Sequence, residues 1–446
     1  MPSAQRPGTT GNSHLRTCMT TSSRAAYLWA TAFLITVIAS IHLLPFNAVV
    51  SYTVVFVLAS IIYLWIAWRT FSVDLPRRAV WTIAALSILL RLSFLSTTPI
   101  GSDDAYRYVW DGKVQSSGIN PYRYVPQAEE LRRLHSPRLP AMVNHPDMKT
   151  VYFPVSEWIF YLSYQMSGED LWGFKLFLLL AEVSTLIGLL FLTARLSLPP
   201  AFVLLYALCP LPILSFALDA HVDGLGLPLL VFALLSHRAG KKNLSLLLFG
   251  LSLSIKPVAL VLVPVLFFAE RKWMERLRIA VVPAIVLIVQ FLPYIAGVNP
   301  FEALGTFAKH WTFNGALFET AMLIVADNQV ARVLCGVALG VALVTLCASR
   351  VPLLDKIYYA VIFLLLCSPV VHPWYVCWLT VLVPLGHRWS GIAYSAAVSL
   401  TAITVLTYKL SGVWEQLPIV LITEYLPVIV LLVIELRASE HHPASP

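Results

Sequence analysis

The chain has 446 residues, of which 58% are apolar or aromatic and 12% charged, with a mean hydropathy of +0.77. A soluble domain runs nearer ~45–50% apolar and ~25% charged, so this sequence lacks the polar surface to clothe a water-soluble fold. Soluble enzymes, disordered tails and nucleic-acid binders are thereby excluded, and the net charge of +8 is accounted for by basic loops facing anionic lipid. What remains is an all-α polytopic membrane protein. Its six cysteines, Cys18, Cys209, Cys335, Cys347, Cys367 and Cys377, lie in the polar N-terminus or in apolar runs. None has CxxC spacing, so neither a disulfide scaffold nor a zinc site is indicated.

A bilayer crossing by a helix needs about 20 apolar residues. In chain order such runs fall near 26–44, 51–68, 79–97, 171–195, 200–218, 224–237, 279–296, 331–349, 356–371, 373–387, 391–410 and 418–436. They predict a bundle of about 12 transmembrane helices. Residues 1–25 read as a cytoplasmic tail before a signal anchor, with no cleavage site after the first apolar run. Residues 26–97 then carry three spans, 98–170 a long polar loop, 171–436 the remaining spans, and 437–446 a second cytoplasmic tail. The segment 243–269 stands apart, because two short apolar stretches meet at Lys256-Pro257 between basic flanks (Lys241 and Lys242, then Arg271 and Lys272). It is either a re-entrant hairpin with its turn at depth or one long span. With the N-terminus inside, every outer loop but the longest holds at most one Lys or Arg, so both termini are expected in the cytoplasm.

The long loop, 98–170, faces outward in that topology. A loop of this length is functional or disordered in most proteins, and Tyr106, Tyr108, Trp110, Tyr122, Tyr124, Tyr152, Phe153 and Trp158 argue for order. Apolar residues at helical spacing predict surface helices over Ala105–Ser117 and Val155–Ser167. Asp103 and Asp104 follow directly on the outer end of a span. One plain role is to cap the next helix. Adjacent residues diverge by ~100° on a helix, however, so one carboxylate can cap while the other points into a cavity. Asp111, eight residues after Asp103, returns to the same face if the helix begins early. Asn120-Pro121-Tyr122 ends it with a turn. Gly336 and Gly340 form GxxxG within a span and read as helix packing.

These motifs resemble the GT-C superfamily of membrane glycosyltransferases, which use polyprenyl-phosphate sugars as donors. The resemblance is closer to the mannosyltransferase branches: the bacterial polyprenol-phosphate-mannose enzymes and, more distantly, the first mannosyltransferase of glycosylphosphatidylinositol assembly. Those enzymes carry an Asp, a Tyr three residues later, a further Asp and a Pro-Tyr, matched here by Asp103, Tyr106, Asp111 and Pro121-Tyr122. Their later Tyr-x-Pro is matched by Tyr152-Phe153-Pro154, and their late aromatic element is similar to Ser368-Pro369-Val370-Val371-His372-Pro373-Trp374-Tyr375. Lys256-Pro257 is similar to the basic residue of their mid-chain hairpin. One departure is that Asp104 adjoins Asp103, where eukaryotic relatives have Asp-x-Asp. This leaves open which carboxylate is the base, with the register to Tyr106 favouring Asp103.

The resemblance implies a GT-C-like bundle with an outward-facing site in a bacterial inner membrane. The expected reaction is inverting attack by an acceptor hydroxyl on a polyprenyl-phosphate hexose, mannose first. A carboxylate beside a low-dielectric wall suits the base. Asp103 takes that role, and Asp104 orients the acceptor or helps to place a divalent metal; no other cofactor is indicated. Arg107, Lys256 and His372 are the candidate donor-phosphate contacts, and Tyr106, Asp111, Asn120, Tyr122 and Tyr152 the candidate substrate contacts. Partners would be the lipid-linked donor, a glycan, lipid or protein acceptor, and the bilayer.

Each cation also has a plainer role. Arg107 can pair with Asp104 or Asp111, Lys256 can snorkel from a single span, and His372 can simply end a helix beside the interface anchors Trp374 and Tyr375. His221 and Asp223, in the turn Asp219–Asp223, either line the same cavity or sit in a solvated loop. The non-enzyme alternative is a transporter or flippase of lipid-linked sugar, with Arg91, Glu182, Lys256 and Glu424 as charges on a pathway. Against it, the sequence shows no repeated halves.

Overall fold

Helical periodicity in the apolar runs decides which face of each span turns inward. The computed structural model describes residues 10–44 and 48–441, so the outermost parts of both expected tails, 1–9 and 442–446, lie outside the described residues. Helix α1 (Thr10–Ala39) is followed by α2 (Val49–Thr70). On α2, Tyr52, Phe56, Ala59, Tyr63, Ile66, Ala67 and Thr70 recur at intervals of three and four and are buried. Val50, Val54, Leu58, Ile61, Leu64 and Trp68, equally apolar, are exposed. A helix apolar on every side with only one face packed is what a hydrocarbon solvent permits. The inward hydroxyls find partners within the bundle: Tyr63 donates to the Leu205 carbonyl (2.7 Å), and Tyr27 bonds Thr70 Oγ1 (2.9 Å).

Among the described residues, six helices are long and apolar enough to cross a bilayer: Ser22–Leu43, Val49–Thr70, Trp172–Arg195 (α6 below), Asn328–Ala348, Trp389–Ser411 and Pro418–Ala438. The pair Pro200–Ala207 and Pro210–Leu218, bent by 46°, makes a seventh if it is one span. The count of about 12 is therefore not reached among the described residues. Several expected spans are helices too short to cross alone: α3 (Arg77–Ser93), Gly226–Arg238, Leu353–Cys367 and Pro373–Thr380. At 1.5 Å per residue these cover roughly 12–26 Å of a ~30 Å core. Proline sets several of the breaks, since it lacks the N–H that continues a helix.

The 98–170 segment forms its own core. Helices α4 (Asp104–Ser116) and α5 (Pro154–Ser167) stand where sequence periodicity placed two short helices, and they pack against each other. Tyr108, Trp110, Val109 and Phe160 meet Phe174 and Leu178 of α6 (Trp172–Arg195) in a buried cluster. Gly112 of α4 lets the two helices touch, because a Cβ there would collide with the Phe160 backbone carbonyl.

The chain reverses at Lys256-Pro257. Lys242, at the start of the Lys242–Ile255 helix, is ion-paired with Glu270 (3.1 Å), just beyond the Leu262–Ala269 helix. A continuous helix would hold those residues roughly 40 Å apart. The two arms thus form a hairpin whose feet meet, with Trp273–Val289 packed along both. The tip carries Lys256 to the base of the α4 region.

Candidate active site

At the junction of the loop core and the bundle lies a cavity of about 990 Å3. Its walls come from α2 (Tyr52, Phe56), the start of α4 (Asp103, Asp104, Arg107), the Asn144–Phe153 strip and the hairpin tip (Lys256). The Trp311–Phe313 turn, the segment His372–Tyr375 and the Thr401–Ser411 helix complete it. Its lining therefore combines acidic and polar side chains with apolar ones, among them Val49, Phe56, Leu364, Leu365 and Val405.

Capping does not occupy the acid pair. Asp103 stands at the N-cap of α4, yet its side chain takes no amide bond from the first turn, and Ser102 Oγ accepts the Asp104 N–H instead (3.3 Å). Both carboxylates are free for other partners, and those partners differ. Asn144 Nδ2 donates to Asp104 Oδ1 at 2.6 Å but only at 3.3 Å to Asp103 Oδ1. Asp104 Oδ2 also lies 3.4 Å from Nδ1 of the buried His221. Asp103 remains exposed at the cavity mouth.

These surroundings drive the two acids apart. The low-dielectric wall, and after it the charge of Asp104, raises the Asp103 carboxyl above the ordinary aspartate range. Burial acts the same way on Asp104, but the neighbouring imidazoles of His221 and then His372, with the Asn144 amide, outweigh it and hold that carboxyl down at about 2. Two adjacent carboxylates with opposed shifts are the arrangement in which one takes a proton while the other stays charged.

The cations are built differently from one another. Lys256 Nζ pairs with Asp223 Oδ2 (2.9 Å) and lies 3.4 Å above the Tyr375 ring, while Asp223 Oδ1 accepts from Trp378 Nε1 (2.8 Å). Arg107 Nε is 3.0 Å from both oxygens of Asp111, and Nη1 donates to the Met148 carbonyl (2.9 Å). Its Nη2 is buried without a partner, on a residue that lines the cavity. His372 is sandwiched between Phe313 (4.7 Å) and Trp374 (4.5 Å), and Trp374 in turn stacks on His221 (3.4 Å). Burial pushes the His372 imidazole down to about 3 despite the opposing pull of Asp104, so at neutral pH it offers a hydrogen bond and not a charge.

Of the residues singled out in sequence, Asp103, Asp104, Arg107, Tyr152, Lys256 and His372 converge on this cavity. Tyr106, Asp111, Asn120 and Tyr122 do not line it, and each has a structural employment. Tyr106 is buried in the loop core. Asp111 falls one turn beyond Arg107 and is buried under it, close enough to the buried Glu157 that their charges interact. Burial, and then the Asp111 charge, hold the Glu157 carboxyl well above its ordinary value. Asn120 donates to the Tyr294 carbonyl (2.8 Å) and accepts the Tyr122 N–H, and Tyr122 donates to the Tyr152 carbonyl (2.7 Å). These bonds fasten the loop's turn to the 291–294 region.

Asn144 and Trp374 were not among the candidate contacts, and His221 and Asp223 stood only as an open alternative. Their signal was the acidic turn Asp219–Asp223; nothing local marks Asn144. Among the described residues no group of three or more His, Cys, Asp or Glu is placed to hold a metal. The intramembrane charges Arg91, Glu182 and Glu424 do not line the acid-lined cavity and have carboxylate, amide or hydroxyl partners elsewhere, although Arg91 Nη2 is buried without one. Arg91 Nε meets Glu182 at 2.8 Å, with Tyr206 as a further donor, and Asn314 holds Glu424 at 3.0 and 3.1 Å.

Fold and site together define a multi-helix membrane protein with an acid-lined cavity inside its bundle. Residues 8–271, more than half of the chain, match the family described as alpha-(1->6)-mannopyranosyltransferase, N-terminal domain, and the chain belongs to that family. It is a membrane glycosyltransferase, and its family transfers mannose. No curated protein and no solved structure matches it.

Proposed function

We propose that this chain transfers mannose from a polyprenyl-phosphate donor to a hydroxyl of a mannose-containing acceptor, forming an α-(1→6) linkage with inversion. The observation that carries the reading is the unequal acid pair at the mouth of the cavity. Asp103, raised and accessible, accepts the proton of the attacking hydroxyl, and Asp104, kept ionised by His221 and Asn144, orients that hydroxyl. The hydroxyl oxygen bonds to the anomeric carbon as the carbon–phosphate oxygen bond breaks, and the lipid phosphate departs with the electron pair. Lys256 and the unpartnered Nη2 of Arg107 face that negative charge, with His372 as a neutral donor.

The apolar lining of Val49, Phe56, Leu364, Leu365 and Val405 suits the first isoprene units of the donor. In this reading the cavity opens outward, the hairpin reaches it from the cytoplasmic side, and the apolar helices too short to cross alone complete a GT-C-like bundle. The test is transfer of labelled mannose from polyprenyl-phosphate mannose to an α-(1→6)-mannan acceptor in membranes holding the full chain. Transfer lost with Asp103→Asn supports the assignment; full activity in that variant removes it.

A further inference from the structure

The acid pair follows a connector, Phe94–Gly101, with little helix of its own, so something else must hold it in register with the cavity. Two buried side chains of opposite charge do so. From α6, Lys175 Nζ donates to the Phe94 carbonyl (3.0 Å), the Thr97 carbonyl (2.7 Å) and Thr97 Oγ1 (3.1 Å). From the turn after Pro210–Leu218, Asp219 Oδ1 accepts the N–H groups of Ile100 (2.9 Å) and Gly101 (2.8 Å), and its Oδ2 accepts the Tyr52 hydroxyl of α2 (3.0 Å). Lys175 is 2% exposed and Asp219 3%. The fit at Gly101 is tight: a Cβ there would sit 2.5 Å from Asp219 Oδ2 and 2.7 Å from Tyr52 Oη.

Asp219 lines the cavity but is not a second base, because both its oxygens are engaged. Its bonds run to backbone and to the Tyr52 hydroxyl, not to open space. A buried carboxylate taking two successive amides fixes the direction of the chain two residues before Asp103, and Lys175 fixes the carbonyls just upstream. Three separate elements therefore converge on one connector.

We infer that Asp219 and Lys175 are positioning residues that set the placement of Asp103 and Asp104 in the cavity, Asp219 by its paired amide bonds and Lys175 by its carbonyl bonds. This rests on the acid pair being the reactive centre, as proposed above. Misplacement of a reacting group by about 1 Å costs on the order of a hundredfold in rate. Both amides bind one oxygen, which an Asn would retain, whereas Asp219→Leu has no acceptor and removes both bonds while roughly preserving volume.

The test uses the full chain, solubilised and gel-filtered so that only folded protein is assayed. For Asp219→Leu, kcat is expected to fall about a hundredfold with donor KM changed by less than about threefold. Gly101→Ala, which presses on the same contact, is expected to produce a similar fall. Because both break one contact, the double variant should lose no more than the worse single one. Lys175→Met should show the same kcat-selective loss. Amide hydrogen exchange over 98–104 should quicken in every variant. Single variants with wild-type kcat would overturn the inference, as would losses that multiply in the double variant. Hydrogen exchange decides the matter even if wild type transfers no mannose: that result would sink the proposed reaction, and unchanged exchange in Asp219→Leu would sink the positioning role separately.

Discussion

Lys256→Met separates the two tasks assigned to the hairpin tip. Lys256 is 20% exposed and its partner Asp223 1%, so removing the ammonium leaves a buried carboxylate with only the Trp378 N–H. Breaking a buried pair costs roughly 3–5 kcal/mol; the exposed fraction of Lys256 and the surviving Trp378 bond place this case near the lower end, about 3 kcal/mol. If Lys256 also faces the donor phosphate, a hydrogen bond to a charged group worth ~1.5–3 kcal/mol is lost too, raising donor KM roughly tenfold to a hundredfold. The companion Lys256→Met/Asp223→Asn removes the stranded charge and should recover most of the stability while leaving donor KM high. The assays are thermal unfolding in detergent and steady-state transfer at varied donor. A double variant that regains wild-type donor KM would refute the phosphate role, leaving Lys256 a counter-ion for Asp223. A single variant that unfolds at the wild-type temperature would refute the energetic argument for the pair.

Three further outcomes follow from the same geometry. Asp103 is raised and acts deprotonated, so rate should fall as pH drops through a pKa above the ordinary aspartate range; Asp104→Asn removes the like charge beside it and should shift the acid limb of the remaining activity to lower pH. Gly112→Ala drives a Cβ into the Phe160 carbonyl across the α4–α5 contact and should lower stability by about 1–3 kcal/mol, read by thermal unfolding. Arg91→Met/Glu182→Gln neutralises a buried pair outside the acid-lined cavity, so kcat/KM per folded molecule should not change. A large loss there would speak for the pathway role that a transporter would give those charges.

Much of this architecture was legible from local pattern. Periodicity placed α4 and α5 to within a residue or so, because both have apolar faces that pack on each other. The spacing Asp103, Asp104, Arg107 puts three side chains at the first turn of one helix, and that turn opens on the cavity. The same helical arithmetic carried Asp111 onto the stripe of Arg107 but could not show that the second turn is buried against α5. The expected count of about 12 spans exceeds the six helices long enough to cross among the described residues for a related reason. Apolar runs broken by Pro210, Pro212, Pro373 and Pro384 look like single crossings by composition, yet they fold as shorter or bent helical pieces. Asn144, His221 and Asp219 act on the acid pair through contacts between residues far apart in sequence. No local propensity encodes such pairings; the topology that creates them is a property of the packed bundle.

The most direct test of the account compares mannose transfer from polyprenyl-phosphate mannose by wild type, Asp103→Asn and Asp104→Asn at matched amounts of folded protein. The account predicts transfer by wild type, none detectable above background with Asp103→Asn, and a reduced but measurable rate with Asp104→Asn. Full activity in the Asp103 variant, or a wild type inert toward mannosyl donors, would contradict it.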